Sequence, residues 1–350
     1  MSTLAVANRD LVYCLTETSA GTAKDITQSG SPDAPLRIES QTWTVRGGPN
    51  PQDQASGAYA ATRKSRNAKM GWDIQTVCEI REWGATPDPS AVANSPINTL
   101  LTSCCGNLAA NSTPDYVRFT PRSGFTVGTT VKPVTMHWLQ NGGNYVRGKY
   151  GVSMLERIAP DGDKLLATFR THAQFLDGAG DTVQDLDGAT PTTAGGFDDY
   201  VDEDPIEPRG ATLTITGLSG TEAIELHTWE FLPGMSLDER EVQTATRGYG
   251  PSHSYYSERP QLVVTVPWAE EVATGAGRTW WQDAISLTEL TTVSVVYGSG
   301  DGRFEVSMPA AQLGVPTITE AAGHRALQVP IFGLASSGDD QFTLQWGASS

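Results

Sequence analysis

The chain has 350 residues with 40 acidic against 24 basic, a formal net charge of -16 that argues against a surface built to grip nucleic acid. No apolar run approaches the ~18 residues that a membrane helix needs, which excludes a helical span. With 36 glycines, 21 prolines, frequent Thr and Val and few helix-favouring runs, the composition points to a mostly β protein rich in turns.

The N-terminal stretch MSTLAVANRDLVYC lacks a basic segment followed by an apolar one, so the chain is expected to be made and kept in a cytoplasm. Cys14, Cys78, Cys104 and Cys105 show no C-x-x-C spacing and read as reduced, structural thiols. The first strand signal holds Leu36 and Ile38 in one phase and Trp43 and Val45 in the other, which predicts a bulge or sharp bend between them. It ends in QTWTVRGG and opens a long connection, residues 47–69, that carries Arg63, Lys64, Arg66 and Lys69. Hairpin connections usually need two to five residues, so a loop this long calls for a function.

WDIQTVCEI then puts Trp72, Ile74, Thr76, Cys78 and Ile80 on one face and Asp73, Gln75 and Glu79 on the other. SPINTLLTSCCG predicts the one convincing helix, with Ser95 as N-cap, Pro96 first, Ile97, Leu100, Leu101 and Cys104 on the apolar stripe, and Gly106 as terminator. VTMHWL and LLATFRTHAQF follow as strands, the second with Leu165, Ala167, Phe169, Thr171, Ala173 and Phe175 inward and Lys164, Arg170 and His172 outward. Residues 178–210, rich in Gly, Pro and acids and without periodicity, read as a linker.

Beyond it the order of elements recurs. IELHTWEFL, QLVVTVPW, a weaker helix in RTWWQDAISL, TTVSVVY, RFEVSM and RALQVPIFGL mirror the first half, and HTWEFLPG sets Trp229 on Trp43. Ile224 and Leu226 against Trp229 and Phe231 repeat the phase switch. A second long connection, residues 233–259, brings Asp238, Glu239, Glu241, Tyr249, Tyr255 and Tyr256. The expected organisation is a first module at 1–177, the linker at 178–210 and a second module at 211–350.

Chemistry-bearing motifs are weak. DGAGDTVQDLDG, with Asp177, Asp181, Asp185 and Asp187, lacks the spacing and final Glu of a calcium loop. GSGDG at 298–302 precedes a strand and reads as a hairpin turn, not a phosphate loop. The five histidines form no H-x-x-x-H pair, and no G-x-S-x-G elbow occurs. No catalytic, cofactor or metal site is expected.

The order LRIESQTWTVRGG, long loop, MGWDIQTVCEIRE, SPINTLLTSCCG, then VTMHWLQNGGNYVRGKYGVSMLERIAPDGDKLLATFRTHAQF resembles the tail tube proteins of long-tailed bacteriophages, and with the second copy the resemblance covers essentially the whole chain. It implies β-sandwich or barrel modules, each with a flanking short helix and a long inter-strand loop. It further implies rings stacked into a hollow tube, with the inner sheets of all copies joined around a lumen through which genomic DNA passes without specific binding. A duplicated chain implies a trimeric ring with pseudo-sixfold symmetry. The partners implied are the chain itself and other tail proteins such as tape measure, terminator and tail tip; the place implied is the virion tail, assembled in the bacterial cytoplasm. The family's long loop reaches the adjacent ring, which makes Arg63, Lys64, Arg66, Asp238, Glu239 and Glu241 the inter-ring candidates. Asp73, Glu79, Glu225 and Glu230, on polar strand faces, are the candidates for an acidic lumen. Two other classes stand beside this one: a carbohydrate-binding or glycoside-hydrolysing β-sandwich that uses Trp280 and Trp281 to stack on sugars, and another virion component such as a decoration or tail terminator protein.

Overall fold

The computed structural model describes residues 11–20, 23–24, 26, 35–47, 70–81, 96–112, 115–124, 131–139, 144–174, 183–185, 206, 210–217, 222–224, 226–238, 252–267, 283–299, 302–336 and 338–347. Over these the protein is mostly β, with large antiparallel sheets and little helix.

In chain order come β1 (Leu11–Thr16), β2 (Ile38–Gly47), β3 (Met70–Glu79), the helix α1 (Pro96–Thr102), β4 (Gly106–Ser112) and β5 (Asp115–Pro121). They are followed by β6 (Val134–Leu139), β7 (Asn144–Asp161), β8 (Lys164–Gln174) and β9 (Val183–Asp185). The chain continues with β10 (Thr212–Thr216), β11 (Glu222–Ile224), β12 (Thr228–Leu232), β13 (Met235–Asp238), β14 (His253–Tyr256) and β15 (Gln261–Pro267). A single helical turn at 283–286 precedes β16 (Glu289–Leu290) and β17 (Thr292–Tyr297). The last strands are β18 (Phe304–Met308), β19 (Ala311–Leu313), β20 (Thr317–Ala321), β21 (His324–Gly333) and β22 (Thr343–Gly347).

Side-chain alternation builds β3 and most of β8 as the sequence predicts: Trp72, Ile74, Thr76 and Cys78 are buried, as are Leu165, Ala167, Phe169, Thr171 and Ala173; His172, expected outward, is buried opposite Asp73. In β6 alternation fails, because Val134, Thr135, Met136 and His137 are all buried on both faces. The β7–β8 hairpin turns at Gly162, whose φ of 63° glycine adopts without strain. The GSGDG segment joins β17 to β18 as expected of a hairpin. Gly106 differs from the expectation: α1 already ends at Thr102, and Gly106 opens β4. A Cβ there would lie 2.1 Å from the ring of fully buried Phe119, so packing, not helix termination, requires the glycine. Ser95 and Phe175 lie outside the described residues.

One sheet of 13 strands runs in the order β16-β19-β21-β15-β12-β7-β8-β3-β2, with β20 beside β21, and with β1, β6 and β9 attached through β7. A second, of seven strands, runs β11-β10-β17-β18-β22-β5-β4. Both sheets are therefore composites of the two halves: β12 lies beside β7, and β22 lies between β18 and β5. Their apolar faces share one core, in which Phe231 meets Phe342 with ring centroids 5.0 Å apart and Trp229 donates its indole N–H to the Tyr297 hydroxyl. Each fully buried large apolar side chain contributes roughly 1.5–3 kcal/mol, so a core that draws such side chains from both halves also holds the halves to each other. The expected linker also takes part, since β9 pairs with β7 and Ile206 is buried in the core.

Strand registers relate the halves in detail. The ladder Trp43–Ile74–Thr171–Ser153 crosses β2, β3, β8 and β7; the ladder Phe231–Leu262–Ile331–Leu313 crosses β12, β15, β21 and β19. Cys78–Ala167–Ile158 corresponds in the same way to Val266–Leu327–Ile318. One extra residue bulges from β7 between Leu155 and Arg157, and one extra residue intervenes at the same place between Leu313 and Thr317. The phase switch has matching causes: Leu36 bonds β1 before β2 shifts register between Ile38 and Ser40, and Ile224 pairs with β10 before the chain crosses to β12. These registers set Trp43 on Phe231, two positions from the expected Trp229. The matching Thr-Trp pairs are thus a local likeness, displaced along equivalent strands.

Candidate functional site

The face of the 13-stranded sheet turned away from the core gathers the residues expected to line a lumen. Asp73 and Glu79 alternate outward on β3, and Glu230 does so on β12. Glu225 lies outside the described residues. None of the three acids stands alone. Arg170 on β8, opposite Gln75 and so diagonal to Asp73, forms a two-pronged ion pair with Asp73, one arm through Nε to Oδ1 at 2.8 Å. Burial pushes the Asp73 carboxyl up, yet the hydrogen bonds and charge of Arg170, with His172 and Arg46 behind, hold it below its ordinary value. Glu79 accepts from Arg81 at 2.9 and 3.0 Å, and Glu230 accepts from Arg157 Nε at 2.5 Å. The first half of this face is therefore charge-balanced rather than simply acidic. Beyond the seam with the second half it carries fewer charges, with Gln261, Val263 and Thr265 on β15, Gln328 and Pro330 on β21, and the exposed acid Glu289 on β16 in register with Gln312 of β19.

Of the inter-ring candidates, the structure describes only Asp238, exposed at the end of a ribbon formed by β13 and β14. The second long connection is thus a two-stranded arm at its base. Asp238 Oδ2 lies 3.5 Å from Nε2 of His253. Tyr256 packs inward on Phe342 while Tyr255 faces solvent. Arg63, Lys64, Arg66, Glu239 and Glu241 fall outside the described residues, as do Trp280 and Trp281.

The edges of the same sheet carry a feature that sequence reasoning missed. Among the described residues β2 pairs only with β3, and β20 pairs only with β21. Both present uncovered apolar side chains on the core side of the sheet: Val45, opposite buried Trp72, is 43% exposed, and Ile318, opposite buried Leu327, is 59% exposed. Val315, Ile285 and Leu287 add exposed apolar surface at the β16, β19 and β20 end. Core-side apolar residues at an open strand edge are a template for pairing with another strand. Alternation in sequence could mark Ile318 as inward-facing, but only topology shows that among the described residues β20 has no strand on its outer side.

Buried polar groups serve the fold. The Glu17 carboxylate, 5% exposed, accepts from the Tyr150 backbone N–H at 2.6 Å and the Thr135 hydroxyl at 3.0 Å, where β7 bends and Tyr150 adopts a φ of 54°. His137, whose pKa burial lowers to about 3, gives its Nε2–H to the Lys24 carbonyl at 2.8 Å. Burial pushes the Cys14 and Cys78 thiols up to about 12, which suits packing rather than redox work. Among the described residues no group of three or more His, Cys, Asp or Glu side chains could hold a metal ion, and no helix is long and apolar enough to cross a membrane. No known protein-family model matches the chain, and no curated protein is significantly similar to it.

Proposed function

We propose that the chain is an internally duplicated tail tube protein, a structural virion component that polymerises as stacked rings into the hollow conduit for DNA of a long-tailed phage. The observation that carries this reading is the repetition inside the large sheet. The unit β2-β3-β8-β7 is followed, edge to edge, by the unit β12-β15-β21-β20, in the same order and register. Among the described residues the sheet thus contains one joint between units and ends in two open edges of the same two kinds. A contact that joins unlike edges is heterologous and, when its rotation closes, makes a ring with no free edge. Three copies supply six units, which gives a trimer with pseudo-sixfold symmetry.

In such a ring the face bearing Asp73, Arg170, Arg157 and Glu230 turns to the lumen. Its paired charges suit the passage of a polyanion, because a face without surplus cations releases no counterions to DNA and does not retain it. The long connections after β2 and β12 then bridge successive rings. Negative-stain electron microscopy of the purified protein tests the reading directly: rings or tubes with a central channel are expected, and compact monomers at high protein concentration would refute it.

A further inference from the structure

We infer that the joint between copies pairs β20 of one copy antiparallel with β2 of the next, in the register the chain already uses between β7 and β12, and that this outer joint is uncharged where the inner one carries an ion pair. The inference rests on the ring reading and specifies its contact. Within the chain, Ile158 stands opposite Phe231. The counterpart of Ile158 is Ile318 and that of Phe231 is Trp43, by the ladders that cross each unit. Carried to the outer edges, the inner register therefore sets Ile318 of one copy opposite Trp43 of the next, and Thr317 opposite Thr44.

Burial supports the same match. Ile158 and Phe231 are 1% and 0% exposed at the inner joint. At the outer edges Ile318 and Val45 lie uncovered on the core side, and Trp43 is half-buried against Trp72 and Trp138. The outer edges thus have the character the inner seam would have if it were opened. A second copy is the partner because the complementarity between these two kinds of edge is already realised once within the chain. Charge separates the two joints. Arg157 and Glu230 pair across the inner seam, and the same registers give Thr317 and Thr42 as their counterparts. Docking β20 onto β12, or β2 onto β7, would leave one of those charges without its partner; the pair is largely exposed, so it adds a small, salt-screened bias toward the proper mate.

The test is a double variant of the full chain, Thr44→Cys with Thr317→Cys, oxidised and run on a non-reducing gel. Both threonines are exposed, and the four native cysteines are buried. Opposed residues of an antiparallel pair have Cα atoms about 4.5–5.5 Å apart, within disulfide range. Covalently linked copies are expected, reversed by reductant, with each single variant remaining unlinked. Ser40→Cys with Thr317→Cys, displaced four residues along β2 on the same exposed face, should not link. If the displaced pair links instead, or if rings form while neither pair links, the register is wrong and the ring reading survives; absence of both rings and links in all variants overturns the ring reading as well. Cross-link yield of the first pair should change less than about twofold between roughly 0.05 and 0.5 M salt. A loss of tenfold or more would overturn the uncharged joint.

Discussion

Phe231 stands opposite Ile158 at the only described pairing between the two halves of the large sheet, and its ring packs edge-on against Phe342, which leads into β22 of the other sheet. One side chain therefore touches both the seam and the inter-sheet core. Replacing Phe231 with Ala should cost about 3–5 kcal/mol, the range for a large buried aromatic. Chemical denaturation followed by tryptophan fluorescence should show one transition shifted as a whole. Two separated transitions would mean that the halves unfold independently.

His137 predicts an acid-side signature. Its folded pKa, about 3, lies below the ordinary value near 6.5 because burial disfavours the imidazolium. The unfolded chain then binds the extra proton, and stability falls as pH drops below the unfolded value, until the folded pKa is reached. Between about pH 6.5 and 5, where few carboxylates titrate, the loss should approach 1.4 kcal/mol per pH unit from this residue alone. His137→Gln should flatten that slope in urea titrations, and the His137 ring signals should not titrate above pH 5 in NMR spectra.

Asp73 acts in a lower window. Its folded pKa is depressed, net of the upward push of burial, by Arg170, His172 and Arg46. The stabilisation is therefore present above the unfolded value near 3.9 and is lost as pH falls through the folded pKa. Asp73→Asn should lower stability at neutral pH and reduce the dependence on pH below about 4. A variant with the wild-type profile would show that the Arg170 pair contributes nothing.

Glu17 holds the bend in β7. Glu17→Ala removes the acceptor for the part-buried Tyr150 N–H and the buried Thr135 hydroxyl, and should cost about 1–3 kcal/mol. Amide exchange at Tyr150 should accelerate by more than the global loss of stability explains.

The basic loop gives a prediction about stacking. Reversing Arg63, Lys64 and Arg66 to Glu should leave rings intact and shorten or abolish tubes, with the effect diminishing in high salt. Tubes of unchanged length in electron micrographs would remove the loop from the inter-ring contact.

How far the sequence reveals the fold depends on the kind of information each element needs. β3 and β8 were legible because one face of each is polar, so Asp73, Gln75 and Glu79 or Lys164 and Arg170 mark the period. β6 was opaque in phase because Thr135 and His137 are buried as deeply as Val134 and Met136. The bulge near Ile38 was legible as a phase change. The displacement of Trp229 against Trp43 was not, since a slip of two residues keeps every side chain on its own face and leaves the alternating pattern intact. Pairing between distant segments was equally hidden: nothing in the residues of β5 announces that it completes a sheet with β22. Alternation marks Asp73 and Glu79 as polar-face residues of β3, but the charge balance of that face was hidden, because Arg157 and Arg170 are distant in sequence from the acids they meet.

The two seams, β7 with β12 and β5 with β22, have a consequence for the covalent path between the halves. Peptide continuity there does not hold the protein together; hydrogen-bonded strands and a common interior do. Tethering instead sets the effective concentration at which the halves find each other, a millimolar-scale quantity for short flexible connections. A chain nicked between Asp185 and Ile206 should therefore remain one particle, and the two fragments, produced separately, should complement each other into the same composite sheets.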